Sequence, residues 1–380
     1  MLRVIGVLVA VIVGVNLWRS ADDPQSEAGT PQTSAASTTA PAPLPPADPP
    51  YHGVAIQVQA AHEGFAAYSR LTREVAELGA DTVLYSVNGF QERVESTRIT
   101  TDPQRNITDE EWLKLFDLAH GLKLRIVLMP KILLSDPRGN DWRGKIQPTS
   151  WDAWFDDYKH FVVRYAELAE ARHVEIFLVG SELISTEKLT DSWRDVIAAV
   201  REKYKGRVSY SANWDHYRGI RFWDDLDLIG MTTYHKLSDD PKPSMATLRE
   251  SWKDIRERIL EWQREVGKPI LFTEAGWASQ EGCSVEAWNY YRHEQATPEG
   301  LAEQKDCYEA FVEAWSGQPD VIGLLWWEWT ADAGGSTDYG YTPKGKPAER
   351  VLRDLFERVR KRRAASRAKS DRPSAPARGW

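Results

Sequence analysis

The chain is poor in cysteine, the residue of redox motifs and structural zinc sites. It has two cysteines, Cys283 and Cys307, in 380 residues. Neither falls in a CxxC or Cys/His ligand spacing, which argues against a zinc site or a dithiol motif. The pair either forms one disulfide or remains two buried thiols, and its separation carries no geometric information that would choose. A long basic stripe is also missing ahead of the C-terminal tail. With a formal net charge of -8, the chain lacks the phosphate-neutralising surface on which nucleic-acid binding rests. Long apolar runs of membrane type are confined to residues 4–18, behind Met1, Leu2 and Arg3.

That run has the positive start and apolar centre of an export signal, and it is just long enough for a short membrane anchor. Asn16, Leu17, Trp18 and Arg19 close it without a small-x-small cleavage site, which favours an uncleaved anchor over a removed peptide. Both readings place the rest of the chain outside the cytoplasm, either membrane-anchored or secreted or periplasmic. Residues 21–50 are Pro, Ala, Ser, Thr, Gln and Asp with too little apolar matter for a core, and read as a disordered tether. Residues 361–380, rich in Arg, Lys, Ala, Ser and Pro, read as a disordered basic tail. The expected organisation is a signal or anchor over 1–20, a linker over 21–50, one folded domain over 51–360 and the tail.

Aromatic residues are abundant, with 17 Trp and 14 Tyr. Some must fill a core, yet sugars present apolar C–H faces that stack on rings, so the load suits a carbohydrate site. Strand-like and helix-like patterns alternate along the folded region. Strands are expected at 53–59, 82–87, 124–129 with Pro130 as the stop, 175–179, 208–212, 226–232, 270–273 and 321–327. Helices are expected between them, one opened by the capping box Thr108 to Glu111, and another carrying Trp154 on its apolar face. The link between the fifth and sixth strands is short or irregular. Eight such units predict a (β/α)8 barrel, an α/β fold of the TIM type, with a doubly wound open sheet as the alternative. The barrel is preferred because Gln59, Asn88, Lys131, Glu182, Asn213, Tyr234, Glu274 and Trp326-Trp327 follow successive strands. A closed barrel brings all strand ends to one mouth.

Two strand ends stand out. In FLVGSE (177–182) and ILFTEAGW (270–277) an apolar run stops at a glutamate. Carboxylates on neighbouring strand ends suffice for glycoside hydrolysis, one protonating the leaving oxygen and the other attacking or activating water, with no metal or cofactor. One glutamate alone would read as a salt-bridged strand end or a helix cap. Two in matching contexts, with Tyr234 and Trp326-Trp327 in register, favour catalysis. Glu328, inside its aromatic run, is the competing carboxylate and reads as structural or substrate-contacting.

The segments GSEL, FTEAGW and WWEWTADAGGSTDYGYTPKGKPAE (326–349) resemble glycoside hydrolase family 113, a β-mannanase-like group within the retaining clan A enzymes. The resemblance spans about residues 52–358. It implies the barrel, an acid/base role for Glu182 and a nucleophile role for Glu274. It also implies a hydrogen bond from Tyr234 to the nucleophile and a sugar floor at Trp326 or Trp327. Asn88, Lys131, Asn213 and Trp277 complete the expected substrate-binding set, Trp277 being either platform or core. One departure is Ser181, where many clan members carry Asn before the acid/base. The contact to the sugar 2-hydroxyl would then fall to Asn213 or Asn88. The expectation is a monomeric retaining hydrolase of a β-linked oligo- or polysaccharide, β-mannan first, without cofactor or nucleic-acid partner, and touching a membrane only through an uncleaved N-terminal segment. The alternatives are a hydrolase of another bacterial exopolysaccharide and a catalytically silent carbohydrate-binding barrel.

Overall fold

Apolar runs covered on both faces are the mark of a parallel sheet wrapped by helices, and eight of them close on themselves here. The computed structural model describes residues 50–59 and 64–370. The strands are β1 (Tyr51–Val58), β2 (Thr82–Gln91), β3 (Arg125–Leu134), β4 (Ile176–Ser181), β5 (Arg207–Ala212), β6 (Ile229–Thr232), β7 (Ile270–Ala275) and β8 (Val321–Trp326). Each pairs in parallel with the next, and β1 pairs with β8. That closing pair excludes the open doubly wound sheet.

Seven α-helices pack outside: α1 (Gly64–Glu77), α2 (Asp109–Gly121), α3 (Trp151–Ala171), α4 (Thr190–Lys203), α5 (Met245–Val266), α6 (Pro298–Trp315) and α7 (Pro347–Ser370). Their starts follow local chemistry. Thr108 and Glu111 form a reciprocal capping box on α2, and the side chains of Ser150, Ser244 and Thr297 accept the first free N–H groups of α3, α5 and α6. Between β5 and β6 stand only the short 3-10 turns Tyr217–Gly219 and Trp223–Asp225. Behind β4 and β5, Trp154 stacks on Tyr158 at 4.9 Å, and Trp193 packs on Tyr210 at 5.1 Å and on Phe222 at 5.3 Å. Gly180 is required by this cluster, because a Cβ there would lie 2.7 Å from the Tyr158 hydroxyl and 2.9 Å from the Trp193 ring.

The structure differs from the sequence expectation in two places. β2 and β3 run on to Gln91 and Leu134, through Pro130, and pair Asn88 with Lys131 across the ladder. The last β4 partner on β3 is Leu128, so one edge of β3 is open beyond it and a proline is tolerated there. Second, α7 continues to Ser370, where disorder was expected from Lys361. Its Ala, Arg and Lys residues favour helix, and Lys361 pairs with Glu357 at 2.7 Å. Of the two states left open for the cysteines, the structure has buried free thiols at Cys283 and Cys307. The segment read as signal or anchor (1–20), the linker apart from Pro50, and the tail from 371 lie outside the described residues. Among the described residues no helix is long and apolar enough to cross a membrane.

Trp193 is fully buried and its indole N–H donates to the Thr186 carbonyl at 3.2 Å. Trp193→Ala is expected to cost about 3–5 kcal/mol of folding stability, read from the shift of the denaturant midpoint at unchanged slope.

Candidate active site

β4 ends at Ser181, and the next residue, Glu182, turns with φ of 54°, a left-handed conformation that a side chain adopts at some cost. Two bonds hold this turn. The Glu182 N–H donates to the Ser211 carbonyl at 2.9 Å, and the Leu183 N–H donates to the Tyr210 hydroxyl at 2.8 Å. That hydroxyl in turn donates to Glu187 Oε1 at 2.8 Å. The Glu182 carboxylate accepts from Arg143 Nη2 at 2.5 Å, with both side chains largely buried.

Glu274 lies in β7 and is buried. Its Oε2 accepts from the Tyr234 hydroxyl at 2.8 Å, while Oε1 has no partner among the described residues. Burial and the neighbouring Glu182 charge push the Glu274 carboxyl above its usual range, and Lys131, Arg143 and the Tyr234 hydrogen bond oppose them. Lys131 Nζ donates to Gln57 Oε1 at 2.7 Å, Gln57 Nε2 donates to Glu328 Oε2 at 2.7 Å, and the Lys131 ammonium sits 4.4 Å from the Trp327 ring centroid. Burial pushes the Glu328 carboxyl up, against the Gln57 hydrogen bond and the Lys131 charge. Residues from β1, β3 and β7, the β3–α3 connection, the turn after β4 and the chain just after β8 thus join one cluster of three carboxylates and two cations, of which Glu182 and Glu274 are buried and Glu328 is half-buried.

The other expected residues divide. Asn88 is fully buried, and neither atom of its amide has a partner among the described residues. Asn213 donates to Asp215 at 2.8 Å. Trp327 faces the cluster, but Trp326 points the other way and stacks on Tyr308 of α6 at 4.5 Å. Side chains alternate along a strand, so adjacent tryptophans take opposite sides. Trp277 is also fully buried, edge-on to Trp252 and Tyr308. Trp326 and Trp277 are therefore core residues with no face to offer a sugar, contrary to the expected substrate set. Gln59 is exposed, and Gln57, two residues earlier on the inward side of β1, takes its place. His235 is packed between Trp214 and Trp252, and burial pushes it down to about 3, so it stays neutral.

Gln57 and Arg143 were missed. A glutamine inside the apolar run GVAIQVQ is a signal that could have found the first. Arg143 sits in the β3–α3 connection, where no periodicity marks it. Among the described residues no three His, Cys, Asp or Glu side chains are grouped as a metal ion would need.

The model of glycoside hydrolase family 113 matches residues 56–346. The chain belongs to glycoside hydrolase family 113. Among solved structures, the family 113 β-mannanase AaManA from Alicyclobacillus acidocaldarius, in complex with ManMIm, is 30% identical with a TM-score of 0.72, over 82% of this chain and 98% of that one. A complex of a family 113 β-1,4-mannanase is 26% identical with a TM-score of 0.71, over 82% of this chain and 99% of its own. A family 5 enzyme from Streptomyces cattleya in complex with Manβ1-4GlcNAc, 15% identical with a TM-score of 0.54 over 82% of this chain and 81% of that one, shares the fold. Among curated protein sequences none matches. As a member of family 113 the chain is a glycoside hydrolase.

Glu187, behind Tyr210, gives a pH test of the frame around Glu182. Burial pushes its carboxyl from 4.5 up to about 7, partly offset by the Tyr210 hydrogen bond. A folded value above the unfolded one stabilises the fold below pH 4.5, and the contribution is lost as pH rises through 7. Relative to Glu187→Gln, the wild type is expected to lose up to about 3 kcal/mol between pH 4.5 and 8. Urea titrations of both proteins across that range measure the difference, and a constant gap would show that Glu187 folds ionised.

Proposed function

We propose that this family 113 hydrolase cleaves β-1,4-mannan or a closely related β-linked polysaccharide with retention of configuration, Glu274 acting as nucleophile and Glu182 as acid/base. The observation that carries the reading is the Glu274 carboxylate, with one oxygen held by Tyr234 and the other buried without a partner among the described residues. Neighbours that are 26% and 30% identical over 82% of this chain, both β-mannanases, support the substrate.

In the first step Glu274 Oε1 attacks the anomeric carbon while Glu182 gives its proton to the departing glycosidic oxygen, leaving a glycosyl ester on Glu274. In the second, Glu182 takes a proton from water, the water oxygen attacks the anomeric carbon, and the Glu274 carboxylate is released. Lys131 and Arg143 offset the burial and repulsion that oppose ionisation of Glu274. The Glu182–Arg143 ion pair has to loosen when Glu182 takes up the proton it will donate. Trp327 serves as the floor of the cleaved sugar. The contact to the 2-hydroxyl falls to Asn213 or Asn88: the amide of Asn213 is engaged by Asp215, and that of Asn88 is uncommitted among the described residues but fully buried, so it has to be uncovered to meet a sugar. The export segment read in residues 1–20 supports an extracytoplasmic site of action.

Reducing-end release from mannan, glucomannan, β-glucan, xylan and chitosan tests the substrate. Glu274→Gln is expected to remove turnover of both polymer and activated aryl glycosides. Glu182→Gln should lower polymer turnover by about a thousandfold and spare the first step on an aryl glycoside whose leaving group needs no proton. Equal losses on the two substrates in Glu182→Gln would remove it from the acid role.

A further inference from the structure

Two large apolar side chains are exposed among the described residues, Tyr291 at 37% and Tyr339 at 39%. They stand on the two loops that follow β7 and β8, residues 276–297 and 327–346, on the same rim as Glu274 and Glu328. A row of rings leads from the carboxylates to the first of them. The Tyr234 ring, whose hydroxyl bonds Glu274, is 6.1 Å from Tyr341; Tyr341 is 5.6 Å from Tyr290; and Tyr290 is 3.9 Å from Tyr291. The Tyr290 and Tyr291 hydroxyls are hydrogen-bonded to each other. Tyr291 is the solvent end of a continuous aromatic strip that starts at the reacting centre.

The frame beneath the strip is fixed. Gln280, buried, donates its amide to the carbonyls of Tyr290 at 2.7 Å and Tyr339 at 3.0 Å, and accepts from the His293 N–H at 2.8 Å. One side chain therefore ties both tyrosine-bearing loops together. The Tyr341 hydroxyl donates to the Ala287 carbonyl at 2.7 Å. Lys346, its side chain fully buried, donates to Ser279 Oγ at 2.9 Å, Asp338 Oδ1 at 2.6 Å and the Gly340 carbonyl at 2.9 Å. Loops held this firmly lose little freedom when a ligand covers them, and an exposed ring face matches the apolar C–H face of a pyranose.

We propose that Tyr291 and Tyr339 form an outlying subsite that binds sugar units of the polysaccharide several units away from the bond being cleaved. The inference rests on the polysaccharide-hydrolase reading above and deepens it, since only a polymer long enough to reach the strip uses these rings. The test compares kcat/KM on β-1,4-mannohexaose with that on an aryl β-mannobioside, for wild type, Tyr291→Ala, Tyr339→Ala and the double variant. Each single variant is expected to lower the hexaose-to-mannobioside ratio by about threefold to tenfold, the effect of losing one stacking contact, and Tyr291→Phe should retain it. Gln280→Leu, which unties both loops, should lower the same ratio. An unchanged ratio in all the alanine variants, with both substrates turned over, overturns the subsite alone. Failure of the wild type on both substrates overturns the substrate reading and the subsite with it.

Discussion

Burying like charges together is the constraint on which this structure is built. Glu182 and Glu274 lie buried at the barrel mouth, and Glu328 lies half-buried beside them. Carboxylates so placed repel one another and lose hydration, and either they protonate or positive charge is brought in. Lys131 and Arg143 bring it, from β3 and from the loop beyond it. Arg143 pairs directly with Glu182, whereas Lys131 makes no ion pair with a single carboxylate. Lys131 is held by Gln57, and its charge bears on all three acids.

The scaffold behind Glu182 answers a second demand. A catalytic side chain on a left-handed residue is only as well placed as the turn that forces it there. Tyr158, Trp193 and Tyr210 crowd Gly180 from outside, and the Tyr210 hydroxyl, backed by Glu187, takes up the Leu183 N–H. The aromatic richness thus has two uses that composition alone does not separate: most rings press the helices onto the barrel, and a few stand at its rim.

Eight alternating units were legible because buried parallel strands read as uninterrupted Val, Ile, Leu and Phe runs. Glu182 and Glu274 were legible because each ends such a run. What was not legible came from geometry beyond the local pattern. Pro130 reads as a stop, yet β3 passes through it on an edge that β4 has already left. Trp326 and Trp327 are adjacent letters, and only the pleat decides which one meets the mouth. Gln57 lies inside β1 and reaches Lys131, whereas Gln59 lies beyond the strand's end at Val58 and is exposed. Arg143 has no strand or helix period and is brought to Glu182 by the fold of a loop. In α7, a composition that suits a loose tail also suits a helix, and the packed turns that precede it favour the helix.

The long β2–β3 pair makes the rim uneven. Its last four rungs, from Asn88 with Lys131 to Gln91 with Leu134, rise past the end of β1, by about 13 Å at the usual strand rise. The mouth is therefore walled on the flank of β2 and β3. A stiff chain cannot lie across a wall, and so it must run beside it. The asymmetry of one hairpin-free ribbon gives the opening a direction, much as a kerb sets the line of a wheel.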